Sequence, residues 1–248
     1  MFEAEVVPRL RALSGIEQVP EFMELRFAGI GESDFHQGVD DQLDAIPGLE
    51  HGYCARPGEV DLRLIGSASS IREARKVVAG TFSEELVSDD GSNLEKVIVN
   101  LLVEQGRTLA IAESCTGGLI ASRCTDVPGS SSVFRYGFVT YANEAKEDLV
   151  GVSPESLRNH GAVSEPVARQ MAEGALKASG ADLAVAVTGI AGPAGGSSEK
   201  PVGTVFLGIA ERGGETQVYK QFHPWARDAF KRQVSQSALN LVRLTLGK

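Results

Sequence analysis

Short apolar runs alternate with strong helix start and stop signals over the second part of the chain, and this alternation most limits the fold. The runs "TLAIAE" (108–113) and "ADLAVAVTG" (181–189) have the length and composition of buried strands. Between them, "SPESLRNHG" and "SEPVARQMAEGALKASG" each begin with Ser and an early Pro and end at Gly, which is typical of helices. Strands that alternate with helices predict a mixed sheet covered on both faces, a three-layer α/β/α fold.

The last part of the chain departs from this alternation. The runs "PVGTVFLGIAER" and "ETQVYKQFHP" stand at hairpin spacing across "RGG", so two consecutive antiparallel strands are predicted. A closing helix follows, with four apolar residues on one face: Phe230, Val234, Ala238 and Leu241. In open sheets ligands bind beyond the carboxyl ends of strands, so we expect a site where the loops after Glu113, Tyr141 and Thr188 meet.

The first 91 residues differ in composition from the rest. They hold 8 Lys and Arg against 18 Asp and Glu, a net charge of −10, whereas the remainder holds 16 against 15. Alternating Val60, Leu62 and Leu64 predict a strand, and the apolar residues of 71–78 lie on one helical face, so a small α+β module is expected. The polar run "SDDGSN" (88–93) ends it, and Ser92 or Asn93 can cap the next helix. We therefore predict domains at 1–91 and 92–248.

Charge and cysteine usage exclude several classes. The whole chain carries a net charge of −9, which argues against a protein that binds nucleic acid through bulk positive charge. The three cysteines, Cys54, Cys115 and Cys124, form no CxxC pair, so we expect no disulfide framework, zinc site or other metal. The start "MFEAEVVPRL" lacks a signal sequence and no apolar run is long enough for a membrane span. A cytoplasmic protein without a membrane partner is predicted.

The stretch "ESCTGG" places Ser114 in the turn between a buried strand and a helix. Backbone N–H groups at a helix start can stabilise an alkoxide and form an oxyanion hole, so Ser114 is a candidate nucleophile. In the alternative interpretation Ser114 or Thr116 only caps the helix. Cys115 is a rival nucleophile, because a helix start can lower the pKa of a thiol, although a buried Cys is more often inert.

A nucleophilic Ser needs a base. The four histidines (His36, His51, His160 and His223) are isolated in the sequence, with no acidic spacing that marks a triad. A desolvated Lys can serve instead, and Lys146 in "VTYANEAKEDL" lies one helical turn beyond a strand end, five residues after Tyr141. A Lys among Glu and Asp is also typical of a solvated helix surface, so that alternative stays open.

Two further segments suit an anionic ligand. The Gly-rich "TGIAGPAGG" (188–196) offers backbone N–H groups to a phosphate or a ribose, although it is neither a Walker loop nor a dinucleotide fingerprint. Arg227, Lys231 and Arg232 add positive charge near the start of the closing helix. The alternatives are a flexible loop and a solvated basic face.

Taken in order, "TLAIAESCTGGLIA", "VPGSSSVFRYGFVTYANEAKEDLVGV", "HGAVSEPVARQMAEGA", "AVTGIAGPAGG" and "KPVGTVFLGIA" resemble the C-terminal domain family of CinA (competence/damage-inducible) proteins. The resemblance covers about residues 93–248, and that family includes nicotinamide mononucleotide amidohydrolases. The segments "GIGES" and "ARPGEVDLRL" resemble the KH-like middle domain of full-length CinA proteins. The large N-terminal pyrophosphatase domain of those proteins has no counterpart in this sequence, so we expect no metal-dependent hydrolysis of ADP-ribose.

The resemblance implies hydrolysis of the carboxamide of nicotinamide mononucleotide to nicotinate mononucleotide and ammonia, without a cofactor. Ser114 matches the family nucleophile, Lys146 would be the base and then the acid, and Tyr141 would orient Lys146 or relay its proton. Oxyanion donors would be the N–H groups of Cys115, Thr116 and Gly117. The ribose phosphate would be held by a second set: Thr188, Gly189, Gly192 and Arg227. Tyr136 departs from the family pattern and either narrows the pocket or packs outside it.

Other functions stay open beside the amidohydrolase. The same pocket would serve a nucleotide-binding or scaffolding protein that has lost turnover. An RNA adaptor is disfavoured, because the first module has a net charge of −10 and no basic GxxG loop to clamp a nucleic-acid backbone. We expect this module to act as a spacer or dimerisation element, the protein to be a homodimer, and nucleic acid not to be a partner.

Overall fold

The computed structural model describes residues 5–9 and 20–247 of the 248-residue chain. Residues 1–4, 10–19 and 248 lie outside the description, and with them most of the N-terminal segment interpreted above. The strands are β1 (Glu21–Ala28), β2 (Glu50–Arg56), β3 (Glu59–Gly66), β4 (Leu86–Ser88), β5 (Leu109–Glu113), β6 (Phe134–Val139), β7 (Leu183–Gly189), β8 (Thr204–Glu211) and β9 (Gln217–Phe222). The helices are α1 (Glu32–Asp44), α2 (Ala68–Thr81), α3 (Leu94–Gln105), α4 (Leu119–Thr125), α5 (Asn143–Val150), α6 (Pro154–His160), α7 (Glu165–Ser179) and α8 (Arg227–Leu246).

Residues 20–88, here called the N-terminal unit, form a four-stranded antiparallel sheet in the order β2-β3-β1-β4. The predicted alternation in β3 is confirmed, because Val60, Leu62 and Leu64 are all buried. They pack in one core with apolar residues of α1 and α2, including Phe35 and Ile71. A sheet with helices on one face follows from this single apolar side.

Residues 94–246, the C-terminal unit, form a five-stranded mixed sheet in the order β6-β5-β7-β8-β9. Strand β5 is parallel to both β6 and β7, whereas β8 is antiparallel to β7 and β9 is antiparallel to β8. The mixed sheet and the closing hairpin are as predicted, and the protein has the mixed α/β fold expected from its sequence.

The two faces of this sheet carry side chains of different size. On one face Leu109, Ile111, Val185 and similar residues pack against α3, α4 and α8. On the other, alanines of β5, β7 and β8 pack against α7. That contact is close: a Cβ at Gly208 of β8 would lie 2.6 Å from the carbonyl oxygen of Ala168. Small residues on this face therefore allow α7 to approach the sheet.

Most predicted helix ends are confirmed, with two differences. The Asn93 side chain accepts a hydrogen bond from the N–H of Lys96, and Gly106 ends α3 in the left-handed conformation. Ser164, however, does not cap α7, because its hydroxyl donates to the carbonyl of Gly161. Helix α4 begins at Leu119 rather than near Thr116, since the two preceding glycines have φ of +63° and +96°, outside the helical region.

Among the described residues, no helix combines the length and the apolar character that crossing a bilayer requires.

Candidate active site

Three loops meet at the carboxyl ends of β5, β6 and β7, as the sequence predicts. The N–H of Thr140, just after β6, donates to the carbonyl of Glu113 at 2.7 Å, and the N–H of Ser114 donates to the carbonyl of Val187 at 3.0 Å. The strand order places β5 between the other two, so the turn at Ser114 lies at the centre of this edge.

The carboxylate of Glu113 holds the turn after β5. It is buried and accepts hydrogen bonds from the N–H groups of Gly118 (3.0 Å), Ile120 (3.1 Å) and Ala121 (2.8 Å). Charge-assisted bonds of this kind satisfy the free donors at a helix start. The interpretation in which Ser114 or Thr116 caps the helix is therefore wrong, and the Ser114 hydroxyl is available for another partner. No signal in the sequence marks this role of Glu113.

That other partner is Lys146. Its side-chain nitrogen lies 3.1 Å from Ser114 Oγ and 2.7 Å from the carbonyl oxygen of Thr140. Lys146 is only 1% exposed and Ser114 is 8% exposed, so the pair is largely shielded from solvent. The Lys sits in the first turn of α5, which begins directly after the β6 loop. The alternative of a solvated Lys is wrong.

Burial changes the acid–base character of this pair. Desolvation disfavours the ammonium form and lowers the pKa of Lys146 below its ordinary value. Within the part of the chain that the structure describes, no carboxylate forms an ion pair with it. A Lys whose pKa is lowered and whose nitrogen lies within hydrogen-bond distance of a hydroxyl has the arrangement of a general base.

Cys115, the rival nucleophile, has the opposite character. Its side chain is buried, and desolvation raises the pKa of the thiol to about 12. The reactive thiolate is therefore disfavoured, and the side chain packs in the core beneath the turn. Cys124 is likewise buried in that core, with its pKa raised to about 12.

The Ser114–Gly118 turn also presents backbone donors. Between residues 20 and 247, the N–H groups of Cys115 and Thr116 donate to no backbone carbonyl. The N–H of Gly117, by contrast, donates to the carbonyl of Ser114 at 3.2 Å, so it is already engaged and the predicted set of three donors becomes two. The Thr116 hydroxyl oxygen is buried without a hydrogen-bond partner among the described residues.

Tyr141 occupies a place that the sequence did not predict. Its side chain is 60% exposed, and its hydroxyl accepts a hydrogen bond from Arg227 at 2.9 Å. Only its backbone carbonyl contacts Lys146 Nζ, at 3.4 Å. The expected contact between the phenol and Lys146 is therefore not formed in this structure.

Arg227 joins two of the three loops. In addition to the Tyr141 hydroxyl it binds the carbonyl of Gly192 at 2.9 Å. One turn further along α8, Lys231 lies beside the nucleophile turn, since a Cβ at Gly117 would be 3.8 Å from its Nζ. Neither basic residue forms an ion pair within the described ranges, so both offer positive charge at the edge of the site.

The other predicted ligand-binding residues are largely structural. Thr188 is buried and its hydroxyl donates to the carbonyl of Ala162 at 2.8 Å. A Cβ at Gly189 would lie 3.0 Å from the carbonyl oxygen of Thr204, so this Gly permits close strand packing. Of the three, only Gly192, with φ of +71°, lies directly beside Arg227.

The remaining candidates lie away from the pair. Tyr136 is exposed and stacks on Phe138 of the same edge strand, with ring centroids 5.8 Å apart, which agrees with packing outside the pocket. No histidine in the described chain hydrogen-bonds to Ser114 or Lys146. No group of three or more His, Cys, Asp or Glu in residues 5–9 and 20–247 is arranged to hold a metal ion.

Fold and site together define a mixed α/β protein with a buried Ser–Lys pair at the carboxyl edge of its sheet. Residues 91–246 match the sequence profile of the CinA C-terminal domain, and residues 23–85 match the damage-inducible protein CinA KH domain. The chain therefore belongs to the CinA family.

Named relatives agree with this assignment. A "CinA-like protein" of Akkermansia muciniphila is 52% identical in an alignment of 242 positions that covers 96% of this chain and 58% of the relative. A "CinA-like protein" of Geobacter sulfurreducens is 41% identical in an alignment of 253 positions that covers 99% of this chain and 61% of the relative. The chain thus spans about three-fifths of the length of these curated relatives.

Solved structures share the fold of part of the chain. The competence/damage inducible protein of Agrobacterium tumefaciens is 45% identical, with a TM-score of 0.60, and the match covers 62% of this chain and 94% of that protein. A CinA superfamily protein of Escherichia coli is 33% identical, with a TM-score of 0.59, and covers 61% and 88% respectively.

Proposed function

We propose that the protein hydrolyses the carboxamide of nicotinamide mononucleotide, giving nicotinate mononucleotide and ammonia. The observation that carries the proposal is the 3.1 Å contact between Ser114 Oγ and the buried Lys146 Nζ. An uncharged Lys can take the Ser proton, whereas the four histidines lie elsewhere. The family resemblance supports the substrate.

The reaction divides into two steps. Ser114 Oγ attacks the carboxamide carbon and its proton passes to Lys146, while the oxyanion is held by the free N–H groups of Cys115 and Thr116. When the tetrahedral intermediate collapses, the C–N bond breaks and Lys146 gives the proton to the departing ammonia. In the second step Lys146 takes a proton from water and the hydroxide attacks the acyl-enzyme. Lys146 then returns the proton to Ser114 as nicotinate mononucleotide leaves.

Two basic residues are available to bind the phosphate of the substrate. Arg227 and Lys231 both lie on the first turns of α8, on the side of the Ser114 turn and Gly192. Arg binds phosphate with fixed geometry and Lys adds a point charge. We assign these two residues to the phosphate and Gly192 to the adjoining wall.

The proposals about domains, location, assembly and cofactors rest on the sequence and the family resemblance. We propose that the chain divides into a KH-like domain at 1–91 and the amidohydrolase domain at 92–248, that it works in the cytoplasm as a homodimer, and that it needs neither metal nor cofactor. Nucleic acid and membranes are not proposed as partners.

The test is ammonia release and product identity when the purified chain is incubated with nicotinamide mononucleotide, without added metal. We expect Ser114→Ala to lower kcat by at least about 10³-fold, as removal of a nucleophile does in serine hydrolases. Cys115→Ala, in the adjacent position, is the matched control and should keep most of the activity. An active Ser114→Ala variant, or a dead Cys115→Ala variant with intact fold, would refute the assignment.

Wild-type protein that binds the nucleotide but releases no ammonia would instead favour the nucleotide-binding or scaffolding protein. Binding is therefore measured by calorimetry in parallel, with the Ser114→Ala variant beside the wild type.

A further inference from the structure

The N-terminal unit touches the helix that carries Arg227 and Lys231. Its β2–β3 turn (residues 56–59) approaches α8 so closely that a Cβ at Gly58 would lie 2.9 Å from the side-chain amide of Gln233 and 3.1 Å from Cγ of Gln236. Gly58 also has φ of +74°, which favours Gly. The backbone of the turn therefore packs directly on the Gln233 and Gln236 side chains of α8.

A buried hydrogen bond fixes this contact. The amide nitrogen of Gln236 donates to Glu59 Oε2 at 3.0 Å, and both residues are buried. Glu59 is itself held by Arg56 of the same turn and lies beside Arg26 of β1. A buried carboxylate with this many partners is a rigid acceptor, so it restricts where Gln236 and its helix can sit.

The contact continues into the C-terminal unit. The amide oxygen of Gln236 accepts a hydrogen bond from Arg123 at 2.7 Å, and Arg123 also donates to Ser235 at 2.8 Å and pairs with Glu95. Arg123 lies on α4, the helix that follows the nucleophile turn. Glu59 is thus linked through Gln236 to both helices that border the candidate site.

Along α8, this contact lies close to the basic residues without touching them. A cavity of about 440 Å³ separates the β2–β3 turn from Trp225 and Ala229, which flank Arg227 in sequence. The contact at Gln233 lies two residues after Lys231, so the turn holds α8 just beyond the residue that lies beside Gly117.

We infer that the β2–β3 turn of the N-terminal unit is a positioning element for the active site, which sets substrate affinity by fixing α8 through Gly58, Glu59 and Gln236. The inference rests on the proposed function only for its substrate. It gives the KH-like module a task within the chain that is distinct from nucleic-acid binding, spacing or dimerisation. A displaced α8 moves positive charge away from the phosphate, which weakens binding of substrate and transition state alike.

The test uses the full chain with Gly58→Leu, which places a side chain where the Gln233 amide and Gln236 Cγ now contact the turn. Gly48→Leu is the matched control, since Gly48 has a similar φ of +68° in the same unit but nothing within 4 Å of its Cβ position. We expect Gly58→Leu to raise KM for nicotinamide mononucleotide about tenfold with kcat changed less than about twofold, because uniform binding is lost. Gly48→Leu should leave KM unchanged.

Trp225 gives a readout that does not depend on turnover. It is the single Trp of the chain and lines the cavity between the turn and α8, so its fluorescence reports whether the contact has opened. An emission shift in Gly58→Leu without a change in KM would overturn the inference, as would an equal rise of KM in Gly48→Leu. If Gly58→Leu does not fold, Gln236→Met removes the hydrogen bonds without added bulk and should raise KM about threefold.

Failure of the proposed function is separable from failure of this inference. If folded wild-type protein neither hydrolyses nor binds nicotinamide mononucleotide, the proposed function fails. Calorimetry with inorganic phosphate then tests whether α8 still presents its basic residues to an anion. A Kd for phosphate that is raised in Gly58→Leu but not in Gly48→Leu supports the inference. Equal Kd values in the wild type and both variants refute it.

Discussion

The side-chain nitrogen of Lys146 lies 3.1 Å from the hydroxyl oxygen of Ser114, in a position that is almost completely shielded from water. The Thr140 carbonyl, 2.7 Å from the same nitrogen, fixes its direction. A base that is both desolvated and oriented is ready for proton transfer before substrate arrives. The pH dependence of the rate and the stability of the fold should both reflect this pair.

The pH profile should show an ascending limb. Only the uncharged form of Lys146 accepts the Ser114 proton, and burial lowers the pKa of Lys146 from its ordinary value of about 10.4. We therefore expect kcat/KM to rise with pH and to level off above a midpoint lower than that value. Initial rates of ammonia release between about pH 6 and 10 measure it. A rate that falls as Lys146 is deprotonated would contradict the assignment of Lys146 as base.

Replacing the base should stabilise the fold. Because the folded-state pKa of Lys146 lies below the unfolded one, protonation favours the unfolded chain, and the cost is fully present at low pH and disappears as pH rises past the unfolded value. We expect Lys146→Met to abolish activity yet raise the free energy of unfolding by about 1 kcal/mol at neutral pH, as replacement of a desolvated functional group often does.

Urea unfolding at several pH values tests this expectation, and the gain should shrink towards alkaline pH. Lys177→Met, on the exposed face of α7, is the matched control and should change stability by less than about 0.5 kcal/mol. A destabilised Lys146→Met variant would mean that its hydrogen bonds outweigh the cost of burial.

Glu113 should contribute strongly to the stability of the fold. Its carboxylate accepts three backbone hydrogen bonds at the start of α4, so Glu113→Ala leaves three donors without their acceptor. We expect a loss of about 3 kcal/mol in the free energy of unfolding, since bonds to a charged acceptor contribute about 1.5–3 kcal/mol each and do not add fully. Glu104→Ala, at an exposed position of α3, is the control; equal stability of the two variants would contradict the capping role.

The two roles of the Tyr141 hydroxyl can be separated kinetically. In the structure it binds Arg227, so Tyr141→Phe should raise KM about threefold through loss of one hydrogen bond and leave kcat within about twofold. If the hydroxyl relays a proton, as the family resemblance implies, kcat should instead fall by about 10²-fold or more. Steady-state kinetics decides between them, with Tyr136→Phe on the outer face of β6 as control.

Much of the fold is predictable because single residues carry the signals. Helix ends are marked by capping side chains and by left-handed glycines, at Asn93, Gly106, Ser153 and Gly180. The apolar runs of β5 and β7 specify buried strands. Since parallel strands bring their following loops to one edge, the meeting of the loops after Glu113, Tyr141 and Thr188 also follows from the sequence.

The features that the sequence does not predict depend on the directions in which side chains point in the folded protein. Glu113 and Ser114 are adjacent, and no pattern tells which of them turns back to the helix start. The place of the Tyr141 phenol depends on Arg227, 86 residues later, and the Gln236–Glu59 bond joins residues 177 apart. Contacts at such separations are set by packing and have no local signature.

The β8–β9 hairpin determines where the last helix starts. Strand β8 begins beside the end of β7, runs away from the active-site edge, and β9 returns to it, with Phe222 opposite Thr204. A single parallel strand in place of the hairpin would finish at the same edge only after a long crossover. Two antiparallel strands achieve the return with a short turn, and that turn, at residues 212–216, lies at the far end of the sheet. The exposed residues 213–215 of this turn are consequently a suitable insertion point for an affinity tag or a reporter domain, because they lie at the opposite end of the sheet from Ser114.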